Sequence, residues 1–182
     1  MSEEDETTLE EDVERIEAVR ASVGHDVRVM IDANQSFTHA EALRRGYVYQ
    51  EYDLEWFEEP LPAHDHEGLT DLAYALTLPI ATGENEYGKA AFKDLLVQKG
   101  VDIVQADLRR AGGATEILEI GVLAAAFGKP YASHGGSATD LHLLACIPTA
   151  AYAELGLLGP TSRIRLEDGC ALVPNGPGFA WE

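Results

Sequence analysis

The sequence predicts an α/β protein, a partial TIM-type (β/α) barrel with about six of the eight strands of a complete one. Two observations carry this fold class. Short apolar strands alternate with amphipathic helices, the pattern of a parallel sheet covered on both faces. Six strands in succession also stop on a polar residue: Asp32, Glu58, Glu84, Asp107, His134 and Glu154, separated by 26, 26, 23, 27 and 20 residues. That period is one strand plus one helix, so right-handed crossovers bring all six tips to one rim. The chain has 182 residues, against roughly 250 for a full barrel.

Taken in order, Thr8 and Glu11 form a capping box for a helix with Leu9, Val13, Ile16, Val19 and Val23 on one face, ending near Gly24. Val27 to Ile31 is a buried strand reaching Asp32, with Asn34 two residues beyond. Thr38 and Glu41 form a second capping box, opening a helix through about Glu51. The stretch LEWFEEP, Leu54 to Pro60, is a strand ending in Glu58 and Glu59, adjacent acids for which a strand tip has no structural need. A loop with His64 and His66 leads to a helix whose apolar face is Leu69, Leu72, Ala73 and Leu76. Strand Pro79 to Thr82 delivers Glu84, and a helix from Lys89 to Lys99 stops at Gly100 as its C-cap. Strand Asp102 to Ala106 delivers Asp107, and Gly112 and Gly113 open the helix that runs to Gly128. Strand Lys129 to Ser133 ends at His134, before Gly135, Gly136 and a helix ending near Ile147. Ala150 to Ala153 leads to Glu154. The barrel domain therefore takes residues 1–160. Residues 161–182 form an irregular extension, marked by Asp168-Gly169 and the turn-rich stretch Pro174 to Gly178.

A net charge of −19 excludes nucleic acid and anionic membranes as partners, because both would be repelled. Four lysines stand against nine arginines and 32 acids, a balance that suits a protein working in high salt, where self-repulsion is screened. No run approaches a membrane span and Met1 to Asp12 is acidic, unlike a signal peptide, so a cytoplasmic location is expected. Cys146 and Cys170 have no metal-ligand spacing and read as ordinary small residues rather than a disulfide.

Three carboxylates on successive strand tips, Asp32, Glu58 and Glu84, are hard oxygen donors and favour Mg²⁺ over zinc, which would call for more His or Cys. His25, His39, His64, His66 and His142 lack such a context and read as surface or packing residues.

The motifs IDAN (31–34), WFEEP (56–60), TGEN (82–85), ADLRRAGG (106–113), ASHGG (132–136) and PTAAYAE (148–154) together resemble the enolase superfamily. The resemblance is to its mandelate racemase and acid-sugar dehydratase subgroup and covers about residues 8–160. It implies that Asp32, Glu58 and Glu84 ligate Mg²⁺, which binds a substrate carboxylate. His134 would be the general acid/base, Asp107 would hold its tautomer, and Glu154 would donate a hydrogen bond to the developing enolate. Asn34, Glu59 and Arg110 would surround substrate or ligands. The implied activity is that of a lyase that abstracts the proton α to a carboxylate and eliminates water from a sugar acid. The alternative is a catalytically inactive, metal-binding remnant of such an enzyme. A mandelate-type racemase fits less well, because two-sided proton transfer needs a base opposite His134. Relatives also carry an N-terminal capping domain and two further strands, the second with a Lys-x-Lys base motif; the first lysine here is Lys89. The expected partners are thus a small-molecule sugar acid and either a second copy of the chain or a missing N-terminal fragment that completes the barrel.

Overall fold

The computed structural model describes residues 7–155 and 164–179. Helix α1 (Leu9–Val23) precedes a parallel sheet whose strands β1 (Val29–Asp32), β2 (Leu54–Glu58), β3 (Ile80–Thr82), β4 (Ile103–Asp107), β5 (Tyr131–His134) and β6 (Ala150–Ala153) lie side by side in chain order. Helices α2 (His39–Tyr49), α3 (His66–Ala75), α4 (Gly88–Gln98), the pair α5 (Leu108–Ala111) and α6 (Ala114–Ala126), and α7 (Ala138–Leu144) fill the crossovers. The expected six-stranded partial barrel is what forms, with β1 and β6 as its two edges. No helix of the described residues is long and apolar enough to cross a membrane.

Alternation along the strands separates two cores. Residues such as Phe57, Ile80, Val104 and Tyr131 pack outward against the helices in the larger core. Trp56, Ala81, Ile103 and Ala132, joined by Met30 and Tyr152, fill the concave side. Tyr152 of β6 meets the Trp56 ring of β2 edge-on at 5.2 Å, although β3, β4 and β5 lie between them in the sheet. Its hydroxyl donates to Glu55 Oε1 at 2.7 Å, and Arg28 Nη1 reaches the same carboxylate oxygen at 2.6 Å. The sheet is therefore curled far enough for its last strand to face its second, as in a barrel wall. Register finishes the placement: Asp32 lies beside Glu58 and Asp107 beside His134, so the chemistry-bearing tips end level.

Several local expectations change. The Thr8 and Glu11 capping box is present in full, but at Thr38 only half of the second one forms. Glu41 instead turns its carboxylate to Arg44 and Arg45, and Arg45, 5% exposed, also binds Asp12. On α1, Ile16 is buried but Val19 and Val23 stay 46% and 39% exposed, and among the described residues β1 is the edge of the sheet. Lys99, at φ 64°, takes the left-handed position expected of Gly100. Asp107 caps the short helix α5, which was not anticipated. The C-terminal extension, expected to be irregular, contains an antiparallel hairpin of β7 (Arg165–Glu167) and β8 (Cys170–Leu172). Asp168 and Gly169 turn it with φ of 49° and 78°, the double positive φ that a tight hairpin requires. Cys146 and Cys170 are free and exposed.

Candidate metal and proton-transfer site

The rim is built by the strand ends themselves. Beyond β1 the backbone stays hydrogen-bonded to β2: Ala33 N–H donates to Glu58 O at 3.0 Å and Gln35 N–H to Glu59 O at 2.7 Å. Asp32 Oδ1 accepts the Asn34 N–H at 2.7 Å, which fixes this carboxylate at the tip. Glu58 is buried, and the Trp56 indole N–H donates to its Oε2 at 3.0 Å. Burial, reinforced by the charges of Asp32 and Glu84, pushes the Glu58 carboxyl up to about 7, against the opposing hydrogen bonds of Trp56 and Gln105. Burial likewise raises Glu84, although the neighbouring His134 charge opposes the shift.

His134 sits between two acids. Its Nδ1 is 2.9 Å from Asp107 Oδ2, and its Nε2 is 3.0 Å from Glu84 Oε2. The other oxygen of Asp107 accepts the N–H groups of Arg109 and Arg110, both at 2.8 Å, so the start of α5 holds the carboxylate that orients the imidazole. Burial disfavours the imidazolium, but the Asp107 hydrogen bond and the charges of Glu84, Glu154 and Asp107 outweigh it and raise the His134 pKa above its ordinary value. Backbone donation from Arg110 and the His134 bond lower Asp107, against the effect of its burial.

Glu154 enters from β6, its Oε2 accepting the Gly135 N–H at 2.7 Å. The second glycine of this pair is needed for space: a Cβ on Gly136 would lie 2.3 Å from Glu154 O. Glu59 is fully buried and both its oxygens accept from Asn85 Nδ2. Arg110 Nη1 stands 3.6 Å from Glu84 Oε1. All nine sequence-nominated residues thus belong to this one rim or its immediate support.

Three residues with direct contacts were not anticipated: Trp56, Gln105 and Asn85. Trp56 and Gln105 each lie two positions before a nominated acid, on the same face of their strands, so the two-residue strand period could have found them. His66, read as surface or packing, pairs with the buried Glu86 at 2.6 Å.

For a divalent cation the donor chemistry is suitable: three carboxylates on adjacent strand tips, two of them partly desolvated, without enough cationic neighbours to neutralise them. Among the described residues, however, no three acid, histidine or thiol side chains converge to enclose an ion. One oxygen of Glu84, Oε2, is turned onto His134. A cleft of about 640 Å³ opens beside Asp32, but it is lined by Ile16, Ile31, Asn34 and Phe57 and by none of Glu58, Glu84 or His134. Asp32 and Asn34 reach its lining, but most of the rest comes from α1, Tyr49 and the residues after β1, so it is space between α1 and β1 rather than the centre formed by Glu58, Glu84 and His134.

Residues 3–182 match the family described as "Enolase C-terminal domain-like". The chain belongs to that family. This enolase-like chain is 38% identical over 174 residues to an L-talarate/galactarate dehydratase of Salmonella typhimurium, covering 94% of its own length and 44% of the relative. It is 33% identical over 186 residues to an arabinonate dehydratase of Saccharolobus solfataricus, covering 96% and 50%. The crystal structure of an L-talarate dehydratase from Polaromonas sp. JS666, complexed with Mg and L-glucarate, superposes with a TM-score of 0.89 at 36% identity. That match covers 96% of this chain and 50% of the other. The chain spans about half the length of the relatives it matches.

Proposed function

We propose that this chain supplies the metal-binding and proton-transfer half of a magnesium-dependent sugar-acid dehydratase. The observation that carries the reading is the His134 dyad: an imidazole oriented by Asp107 and facing a desolvated acid rim. Asp32, Glu58 and Glu84 would hold Mg²⁺, whose charge, when bound, stabilises negative charge on a substrate carboxylate as the α-proton leaves. His134 moves a proton at Nε2 while Asp107 holds Nδ1–H and stabilises the imidazolium. His134 takes the α-proton at Nε2 as base and then, as the imidazolium that its raised pKa favours, delivers it to the departing hydroxyl, which leaves as water. Glu154, anchored by Gly135, would hydrogen-bond a substrate oxygen, with Asn34 and Arg110 beside the bound acid.

Proton transfer on the face opposite His134 needs a further residue. Lys89, the first lysine, is committed to Glu119 on the helical exterior, and Lys129 pairs with Asp102. That observation favours a second reading, in which the chain alone binds Mg²⁺ without turnover and gains activity from a second copy or an N-terminal fragment. A racemase ranks behind a dehydratase for the same reason.

The test is thermal unfolding with and without Mg²⁺. The ion should raise the melting temperature by mass action, and Glu58→Gln should abolish the rise. His134→Asn should keep the rise and remove proton exchange at the α-carbon of a sugar acid in any preparation that is active. An equal rise in wild type and Glu58→Gln would put the ion elsewhere.

A further inference from the structure

We infer that Asn85 is a positioning residue that ties the tips of β2, β3 and β4 together and thereby fixes the carboxylates offered to the cation; the inference rests on the magnesium reading above. Glu59 follows Glu58 directly and is 0% exposed. Its backbone takes a left-handed φ of 37°, yet its N–H still donates to Ala81 O at 3.0 Å, so the residue is locked in place. Among the described residues no lysine, arginine or histidine pairs with this buried carboxylate; side-chain amides serve it instead, Asn85 foremost and Gln35 to a lesser degree. Asn85 Nδ2 lies 2.9 and 2.7 Å from its two oxygens and 3.2 Å from Glu84 Oε1. The other end of the same amide, Oδ1, accepts from Arg110 Nη1, which also donates to Glu84 O at 3.2 Å.

The arrangement asks for both ends of an amide at once. A nitrogen must face the Glu59 and Glu84 carboxylates and an oxygen must face a guanidinium, which fixes the orientation of the Asn85 side chain. Aspartate at this position would satisfy Arg110 but repel Glu59, lysine would do the reverse, and leucine would serve neither. Without Asn85, Glu59 loses its principal donor, and Arg110 is released to compete for Glu84, a carboxylate the cation requires. The ligand set then loosens. Mg²⁺ demands near-octahedral geometry at short distances, whereas Ca²⁺ accepts a wider and more variable set, so loosening falls unequally on the two ions.

The experiment is calorimetric titration of the full chain with Mg²⁺ and, separately, Ca²⁺, for wild type, Asn85→Leu and the smaller truncation Asn85→Ala, each checked for a cooperative melt. Both substitutions are charge-neutral, so neither alters the ionic attraction of the rim. Mg²⁺ affinity should fall about tenfold, the scale typical for loss of a group that orients a metal ligand, while Ca²⁺ affinity changes far less. A merely structural role would weaken both ions alike, and that outcome overturns the inference, as does an unchanged Mg²⁺ affinity. In metal-free protein the Asn85 side-chain amide hydrogens should exchange slowly with water; free exchange overturns the inference whatever the metal does. Wild type that takes up neither ion overturns the magnesium reading and this inference with it. Wild type that binds Mg²⁺, with the Mg²⁺ to Ca²⁺ ratio unmoved in both variants, overturns the role of Asn85 alone.

Discussion

The middle of the sheet and its two edges are made of similar strands in different surroundings. In β2 to β5 nearly every residue is buried, whereas β1 is only half-buried and β6 begins on two exposed alanines. Yet VMID of β1 is as apolar as IVQAD of β4. What differs is the number of neighbours: each central strand has one on either side, each edge strand only one. The site inherits the contrast. Glu58 and Glu84 on central strands are buried and shifted upward, while Asp32 and Glu154, at the edges, are exposed. Burial here is conferred by neighbours rather than by composition, and with it the chemical character of each acid.

The largest effect that would break this comparison is at Phe57. Its side chain is 1% exposed and meets Tyr49 edge-on at 5.4 Å and Phe37 at 6.2 Å. Phe57→Ala should cost about 3–5 kcal/mol in urea unfolding, lost transfer energy plus the cavity. A cost below about 1 kcal/mol would mean that the centre is not the scaffold that positions Glu58.

A somewhat smaller effect comes from the central acid itself. The folded Glu58 carboxyl titrates near 7, above its ordinary 4.5, so its charged form is disfavoured by folding. Below about pH 4.5 both states are protonated and nothing is lost; as pH rises to 7 the metal-free protein loses stability, by at most about 3 kcal/mol. His134 works in the same direction, because its raised pKa gives stabilisation that is complete below its ordinary value and lost as pH rises through the folded one. Glu58→Gln should therefore be more stable than wild type at pH 8 in a chelator, with the advantage shrinking toward pH 5. A variant less stable than wild type at pH 8 would show that Glu58 is compensated in the folded chain.

The strand tips were legible in the sequence because an apolar run stopping on an acid is a local signal that needs no knowledge of neighbours. Asp107 and His134 were legible as tips of strands adjacent in chain order, and their pairing was implied by the resemblance to the enolase superfamily. What escaped was tertiary. Glu41 looks like the far half of a capping box until Arg45, buried against Asp12 and Tyr49, claims it. Helix α5 has four residues, too few to show a period, so the hold of its backbone on Asp107 was invisible. Asn85 is one letter beside an acid, and only the fold shows that Glu59 and Arg110 meet on either end of its amide.

The smallest expected effect tests the edge. Val19 lies three residues after the buried Ile16 on α1, on the same side of the helix, and it is 46% exposed. If that face is open to water in solution, Val19→Asp changes stability by no more than about 0.5 kcal/mol. If a second copy of the chain or a separate fragment seats there, the same substitution buries an unpaired charge and should disrupt the assembly. Size-exclusion chromatography with light scattering, at low and at high salt, reads the difference directly. An oligomer in wild type that Val19→Asp dissociates would show that the edge is finished by another chain, and high salt should favour that oligomer by screening the repulsion between copies of net charge −19. A wild type that stays a monodisperse, cooperatively melting monomer at low salt, unchanged by the substitution, would mean that the open edge stands on its own.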